Sequence, residues 1–123
     1  MSAKLTKAEQ TQRARRAILD RARRLFATQG YAATGTEEII SDLSITRGAL
    51  YHQFKDKLGV FRAVIVEAYG EITDHIQVKI QPFDQNWEQL VIGCQAVLQA
   101  AQQEALRRLV LVEAPAVLAV DTL

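Results

Sequence analysis

The stretch from Thr34 to Phe54 reads TGTEEIISDLSITRGALYHQF, two short amphipathic segments separated by a brief break. Thr34 followed three residues later by Glu37 has the spacing of a capping box, and Ile39, Ile40 and Leu43 then supply an apolar face. A helix is expected over about 35–43. Ser44 and Ile45 interrupt the pattern, and Thr46 is suited to cap a second helix, Arg47 to Phe54, of two turns. Two such helices crossing steeply form a helix-turn-helix, which offers its second helix to a DNA major groove about 12 Å wide. Ile39, Leu43, Ile45, Leu50 and Phe54 are placed to lock the pair onto a preceding helix, so that Arg47, Ala49, Tyr51, His52 and Gln53 look outward. Gly48 stands in the first turn of this short helix, where it costs up to about 1 kcal/mol against alanine. Its presence points to the close approach of something large, such as a phosphate backbone or a base edge.

Working outward, Ala14, Ile18, Ala22, Leu25 and Phe26 share one helical face, and a helix from about Ala8 to Thr28 is expected, ended by Gly30. Downstream, Leu58, Phe61, Val64, Ile65, Ala68, Tyr69, Ile72 and Ile76 predict a long helix from about Lys57 to Val78. Gln81 to Asn86 reads as a loop. Trp87, Leu90, Val91, Cys94, Val97, Leu98 and Ala101 mark a further helix, and Ala105 to Leu123 reads as a last one, kinked or ended at Pro115. The sequence shows no strand pattern, internal repeat or low-complexity segment, so the fold class is all-α.

The 123 residues are 49% hydrophobic and 24% charged, a profile of packed globular domains rather than of disordered chains. Cys94 is the single cysteine, which excludes a disulfide within these residues and any zinc site built on two cysteines. The N-terminal stretch is polar and basic, and no apolar run approaches a membrane span of roughly 20 residues. A cytoplasmic protein without a membrane partner is expected. Charge is segregated: residues 1–57 hold 11 Lys/Arg against 6 Asp/Glu, and the rest hold 4 against 8. A polyanion partner for the N-terminal half follows naturally, although Arg13, Arg15, Arg16, Arg21, Arg23 and Arg24 alone would fit an ordinary solvated surface equally well. Catalysis is not expected. There is no glycine-rich phosphate loop, nucleophile elbow or His-Glu-x-x-His, and Cys94, His52 and His75 lie on separate predicted helices. Glu67, Glu71 and His75 fall at steps of four, but a carboxylate metal bundle needs a second Glu-x-x-His helix. Neither a metal nor a cofactor is expected.

Three segments, Gly30 to Thr34, Ile45 to Phe54 and Lys55-Asp56-Lys57, together resemble the signature of the tetracycline-repressor (TetR) family. The likeness covers about Gln12 to Ile72, and Val112 to Leu118 is similar, more loosely, to the sixth helix of many members. Within the family the chain looks most like regulators of multidrug efflux genes. The resemblance implies an all-α bacterial transcriptional repressor, with a DNA-binding domain over 12–72, its helix-turn-helix at 35–54, and part of an effector-binding and dimerisation domain over 73–123. Operator DNA, a small-molecule effector and a second copy of the chain are the implied partners.

Carried over by position, the resemblance implies that Thr34 holds the start of the second helix against the DNA backbone and that Thr46 caps the recognition helix and touches phosphate. Arg47 would reach base edges, Gly48 and Ala49 would allow close approach, Tyr51 and His52 would meet phosphate or the groove wall, and Lys57 would pair with phosphate. Tyr69, Trp87 and Cys94, with Phe83, are candidates to line an effector pocket; ordinary core packing is the competing reading of aromatic and apolar stripes at this spacing. Two positions depart from the family pattern, Ile40 where a small residue is common and Ser44 where glycine is common, so a strained or slightly shifted turn is expected. Family members usually continue for several more helices, which makes 73–123 an incomplete domain by this reading. Its last stretch, from Leu106, is too apolar to sit in water without a partner. The rival reading is a helical interaction fragment that sequesters a full-length regulator, and the salt dependence of binding to duplex DNA separates the two.

Overall fold

The computed structural model of the protein describes residues 4–118, which form helices and turns with no strand among them. The chain divides into two compact units, Met1–Val64 and Ile65–Leu123.

In the first unit, α1 (Lys7–Gln29) begins at a true capping box: the Thr6 hydroxyl accepts from the Glu9 N–H at 3.1 Å, and the Glu9 carboxylate accepts from the Thr6 N–H at 2.9 Å. It ends at Gly30, whose N–H still reaches back to the Phe26 carbonyl and whose φ of 87° turns the following chain out of the helix. The short α2 (Thr36–Ile40), α3 (Arg47–Phe54) and the first turns of α4 (Lys57–Ile80) complete the unit. Ile18, Ala22, Phe26, Ile39, Leu50, Val60, Phe61 and Val64 are fully enclosed. At the centre the Phe26 and Phe61 rings meet edge-on at 5.3 Å, and Tyr31 meets Phe61 at 5.0 Å.

Two local expectations are corrected here. The box read at Thr34 and Glu37 does not form, because the buried Thr34 hydroxyl donates instead to the Gly30 carbonyl at 2.8 Å. Gly35 caps α2 without a side-chain bond, and the helix stops at Ile40 rather than Leu43. The turn that follows is strained as the Ser44 departure implied, and more widely than expected: both Asp42 (φ 67°) and Ser44 (φ 55°) are left-handed. Each costs on the order of 1 kcal/mol in a non-glycine residue. Between α3 and α4, Lys55 is left-handed and the Asp56 carboxylate accepts from the Gly59 N–H at 2.7 Å. A Cβ placed on Gly59 would lie 1.8 Å from the Phe54 carbonyl oxygen, so this turn closes only over glycine.

The second unit holds the rest of α4, then α5 (Asn86–Ala101), α6 (Glu104–Arg107), a π-helical segment (Arg108–Glu113) and α7 (Ala114–Leu118). Its interior consists of Ile65, Ala68, Ala96, Ala100, Leu106, Leu109, Val110 and Ala114. The apolar stripe read on α5 is largely exposed, and the face that α5 buries is the one bearing Ala96 and Ala100. Pro115 neither ends the last helix nor stands at its break. The chain widens upstream of it, where the Ala114 N–H bonds to the Leu109 carbonyl five residues back, and α7 then runs through the proline. A wider turn moves the preceding carbonyls away from the proline ring, which has no N–H to offer them. The expected continuation to Leu123 lies outside the described residues. Among these residues no helix is long and apolar enough to cross a membrane.

Candidate nucleic-acid interface

The recognition segment is built from its cap. Thr46 has extended backbone, its hydroxyl accepts from the Ala49 N–H at 3.1 Å, and its carbonyl receives the first helical bond, from Leu50. Leu50 and Phe54 are buried and fix one face of α3 within the first unit. The Arg15 guanidinium lies 4.7 Å from the centre of the Phe54 ring, and the Gln53 side chain donates to the Thr11 carbonyl at 3.3 Å. Gln53 is therefore turned toward α1 and half-buried, not outward as its position in the sequence suggested.

The opposite face carries Thr46, Arg47, Gly48, Tyr51 and His52, all exposed, with Ala49 half-buried beside them. A Cβ on Gly48 would meet only the Thr46 hydroxyl, at 3.9 Å, so no packing within the protein requires glycine there. The Arg47 guanidinium forms an ion pair with Glu37 of α2, joining the two helices of the motif on its outer side. Sequence reasoning had Glu37 as part of a cap and missed this pairing; opposite charges at the starts of two adjacent helices were the available signal.

Thr34 is 1% exposed, and its hydroxyl also accepts from Gln29 at 3.3 Å. Its side chain is thus turned away from solvent, and its place is that of a brace where α1 passes into α2. Gln29 further binds the Ala33 carbonyl and the Glu38 carboxylate, which ties the same corner. Lys57 sits over the Tyr31 ring, its ammonium 4.1 Å from the centroid. Partial burial lowers the Lys57 pKa, while burial and then the Asp56 charge raise that of Tyr31. Tyr31 was read as part of a signature but not as the seat of this lysine.

The three candidates for effector contact separate. Cys94 lines an open apolar groove of about 490 Å³ with Ile76, Ile80, Leu90 and Val97. Tyr69 lines a smaller hollow of about 200 Å³ with Ile72, Leu106 and Val110, and Trp87, 72% exposed, lines neither. Phe83 lies in the turn before α5, its carbonyl accepting from Gln89 at 2.6 Å. Among the described residues no three His, Cys, Asp or Glu side chains gather as metal ligands would.

Residues 18–64, spanning most of α1 through the start of α4, match the family model for bacterial regulatory proteins of the tetR family. The chain carries a tetR-family N-terminal domain. A crystal structure of a TetR-family transcriptional regulator from Pectobacterium atrosepticum superposes with a TM-score of 0.76 at 35% identity, covering 94% of this chain and 59% of that one. The chain is 30% identical over 112 residues to a probable acrEF/envCD operon repressor of Escherichia coli, an alignment that covers 87% of this chain and 50% of the relative. It is 38% identical over 66 residues to the transcriptional regulator LmrA of Bacillus subtilis, covering 54% and 34% of the two chains. At best it spans about half the length of these curated relatives.

Proposed function

We propose that the protein is a sequence-specific DNA-binding transcriptional regulator, acting as a repressor, with α3 as the helix that enters the major groove. The exposed face of α3 carries this reading: a capped helix start that offers Arg47, an unhindered Gly48, then Tyr51 and His52. In this role Arg47 reads guanine, whose O6 and N7 suit a bidentate guanidinium, while Thr46, Tyr51, His52 and Lys57 engage phosphate or the groove wall. Gly48 and Ala49 let the duplex close on the helix. Thr34 acts at one remove, by setting where α2 begins. Relatives named as repressors and the basic balance of residues 1–57 support the same conclusion.

For the whole protein we propose that residues 12–72 form the DNA-binding domain and that 73–123 belong to an effector-binding and dimerisation domain. It is a cytoplasmic homodimer without enzymatic activity, released from its operator by a small molecule. Because Tyr69, Cys94 and Trp87 do not share one hollow, the apolar groove beside Cys94 is the stronger candidate for an effector contact and Trp87 the weakest. A second reading, a fragment that captures a full-length regulator, draws on the exposed apolar side chains of the second unit.

Binding of the full chain to duplex DNA, followed by fluorescence anisotropy across a range of KCl concentrations, tests the main reading. Lys57→Ala should weaken all duplexes alike and flatten the log–log salt slope by about 0.9. Arg47→Ala should reduce discrimination between a duplex selected by the wild-type chain and a scrambled one by about tenfold. Absence of salt-dependent binding by the wild-type chain would leave the capture reading in its place.

A further inference from the structure

The Glu37–Arg47 pair places a carboxylate on the face that the preceding reading gives to DNA. A carboxylate there repels every phosphate that passes and so weakens binding to any duplex, whatever its sequence. Its neighbours do not need it for structure: α2 is capped by Gly35 without Glu37, and both members of the pair stand in solvent, 61% and 63% exposed. An exposed ion pair of this kind adds little to folding stability. What it changes is the geometry of one side chain. Arg47 is the first residue of α3, and its long stem would otherwise sample many rotamers. The guanidinium has five N–H donors in a rigid plane, and Glu37 occupies one NH2 group, which leaves the rest of the fork available for two further acceptors.

We propose that Glu37 is a positioning residue for Arg47 that raises base discrimination at the expense of affinity. This rests on the reading of α3 as the recognition helix. Held by the carboxylate, the guanidinium stays beside the start of α2 and is less able to swing onto a phosphate. On a matching guanine it makes two bonds while keeping the one to Glu37. A mismatched duplex offers no such pair of acceptors, and a guanidinium tethered to Glu37 has less reach toward a phosphate instead, so more of the penalty falls on wrong sequences.

The test uses the full chain as wild type, Glu37→Gln, Arg47→Ala and the double variant. Each is titrated against a duplex selected from a random pool by the wild-type chain and against a scrambled duplex of the same length. Glu37→Gln is expected to bind the scrambled duplex about five- to tenfold more tightly, with a smaller gain on the selected one, so that the ratio of affinities falls. In the Arg47→Ala background the same change should tighten both duplexes equally and leave the ratio where it was. An unchanged ratio in Glu37→Gln, or an equal fall in both backgrounds, overturns the proposal. A readout without DNA accompanies it: NMR of the guanidinium groups in the free chain should show restricted rotation for Arg47 that Glu37→Gln abolishes. If the Arg47 group rotates freely in the wild type, the positioning role is wrong even where DNA binding is intact. If the restriction is present and no duplex binds, the reading of α3 fails and the proposal falls with it.

Discussion

In the unit that ends at Val64 the large apolar side chains face inward: Ile18, Phe26, Ile39, Leu50 and Phe61 are all fully enclosed, and among its described residues Tyr51, on the face of α3 given to DNA, is the exposed large one. The unit that begins at Ile65 is built differently. Val66, Val78, Trp87, Leu90, Leu98 and Leu111 are each more than half exposed, while much of the buried set is alanine. The first unit closes its own core around three rings, Phe26 and Tyr31 each meeting Phe61 edge-on, and presents polar and basic groups outside. The second keeps small residues inside and apolar ones outside, which is how a surface is composed when another surface completes it. Charge divides along the same line: residues 1–64 hold 12 Lys/Arg against 6 Asp/Glu, and residues 65–123 hold 3 against 8. Excess positive charge and uncovered apolar surface thus lie on separate stretches of one chain.

The largest expected difference between the units comes from removing one big side chain in each. Phe61→Ala should cost about 3–5 kcal/mol in a urea melt, because it empties the centre of the ring cluster. Trp87→Ala should stay within about 0.5 kcal/mol. Comparable losses would mean that Trp87 is covered in solution and that the contrast in exposure does not describe the free chain. Glycine substitutions sharpen the contrast at a smaller scale. Gly59→Ala drives a methyl into the Phe54 carbonyl and should destabilise by about 1–3 kcal/mol. Gly70→Ala, with open space around it on α4, should stabilise by about 0.5–1 kcal/mol. Opposite signs in thermal melts are the expected result; the same sign at both would break the account of the turn at Gly59.

The most local effect concerns the cap of α3. Thr46→Ala should lose about 1 kcal/mol, and Thr46→Ser should be nearly neutral. Amide hydrogen exchange at Ala49 reports this bond directly, and equal protection in all three proteins would remove Thr46 from its place as the cap.

Where the sequence could be read, the signal was local and had no rival. Thr46 is followed by a free helix start, nothing nearby competes for its hydroxyl, and α3 runs over the expected residues. Thr34 carries the same signal but has the Gly30 carbonyl within reach, and that contact is created by the left-handed exit from α1, which residue types alone do not fix. The cap at Thr6 was present as Thr-x-x-Glu, yet it precedes the apolar stripe by a full two turns and so lay outside the periodic window. Helical periodicity identified α5 correctly and its covered face incorrectly, since spacing tells which side chains share a face and not whether that face meets a neighbour. In the candidate interface, Arg47, Tyr51 and His52 are exposed as their spacing implied and Ala49 and Gln53 only partly so, whereas the Glu37 pairing and the seat of Lys57 on Tyr31 join residues about ten and twenty-six positions apart.

The wide turn from Arg108 to Glu113 sets the phase of everything after it. An α-helical stripe that buries Leu106 and Leu109 or Val110 would bring position 113 inward next, and that position is Glu113. Burying its carboxylate would require a partner in the interior. One residue of slip lets Ala114 take the inward place, at 4% exposure, and keeps Glu113, its side chain still 15% exposed, at the edge of the interior beside the Arg108 guanidinium at 4.0 Å. The segment thus behaves as a frameshift written in hydrogen bonds: a helix whose residue pattern is out of step with its burial returns to step by spending one extra residue in a single turn.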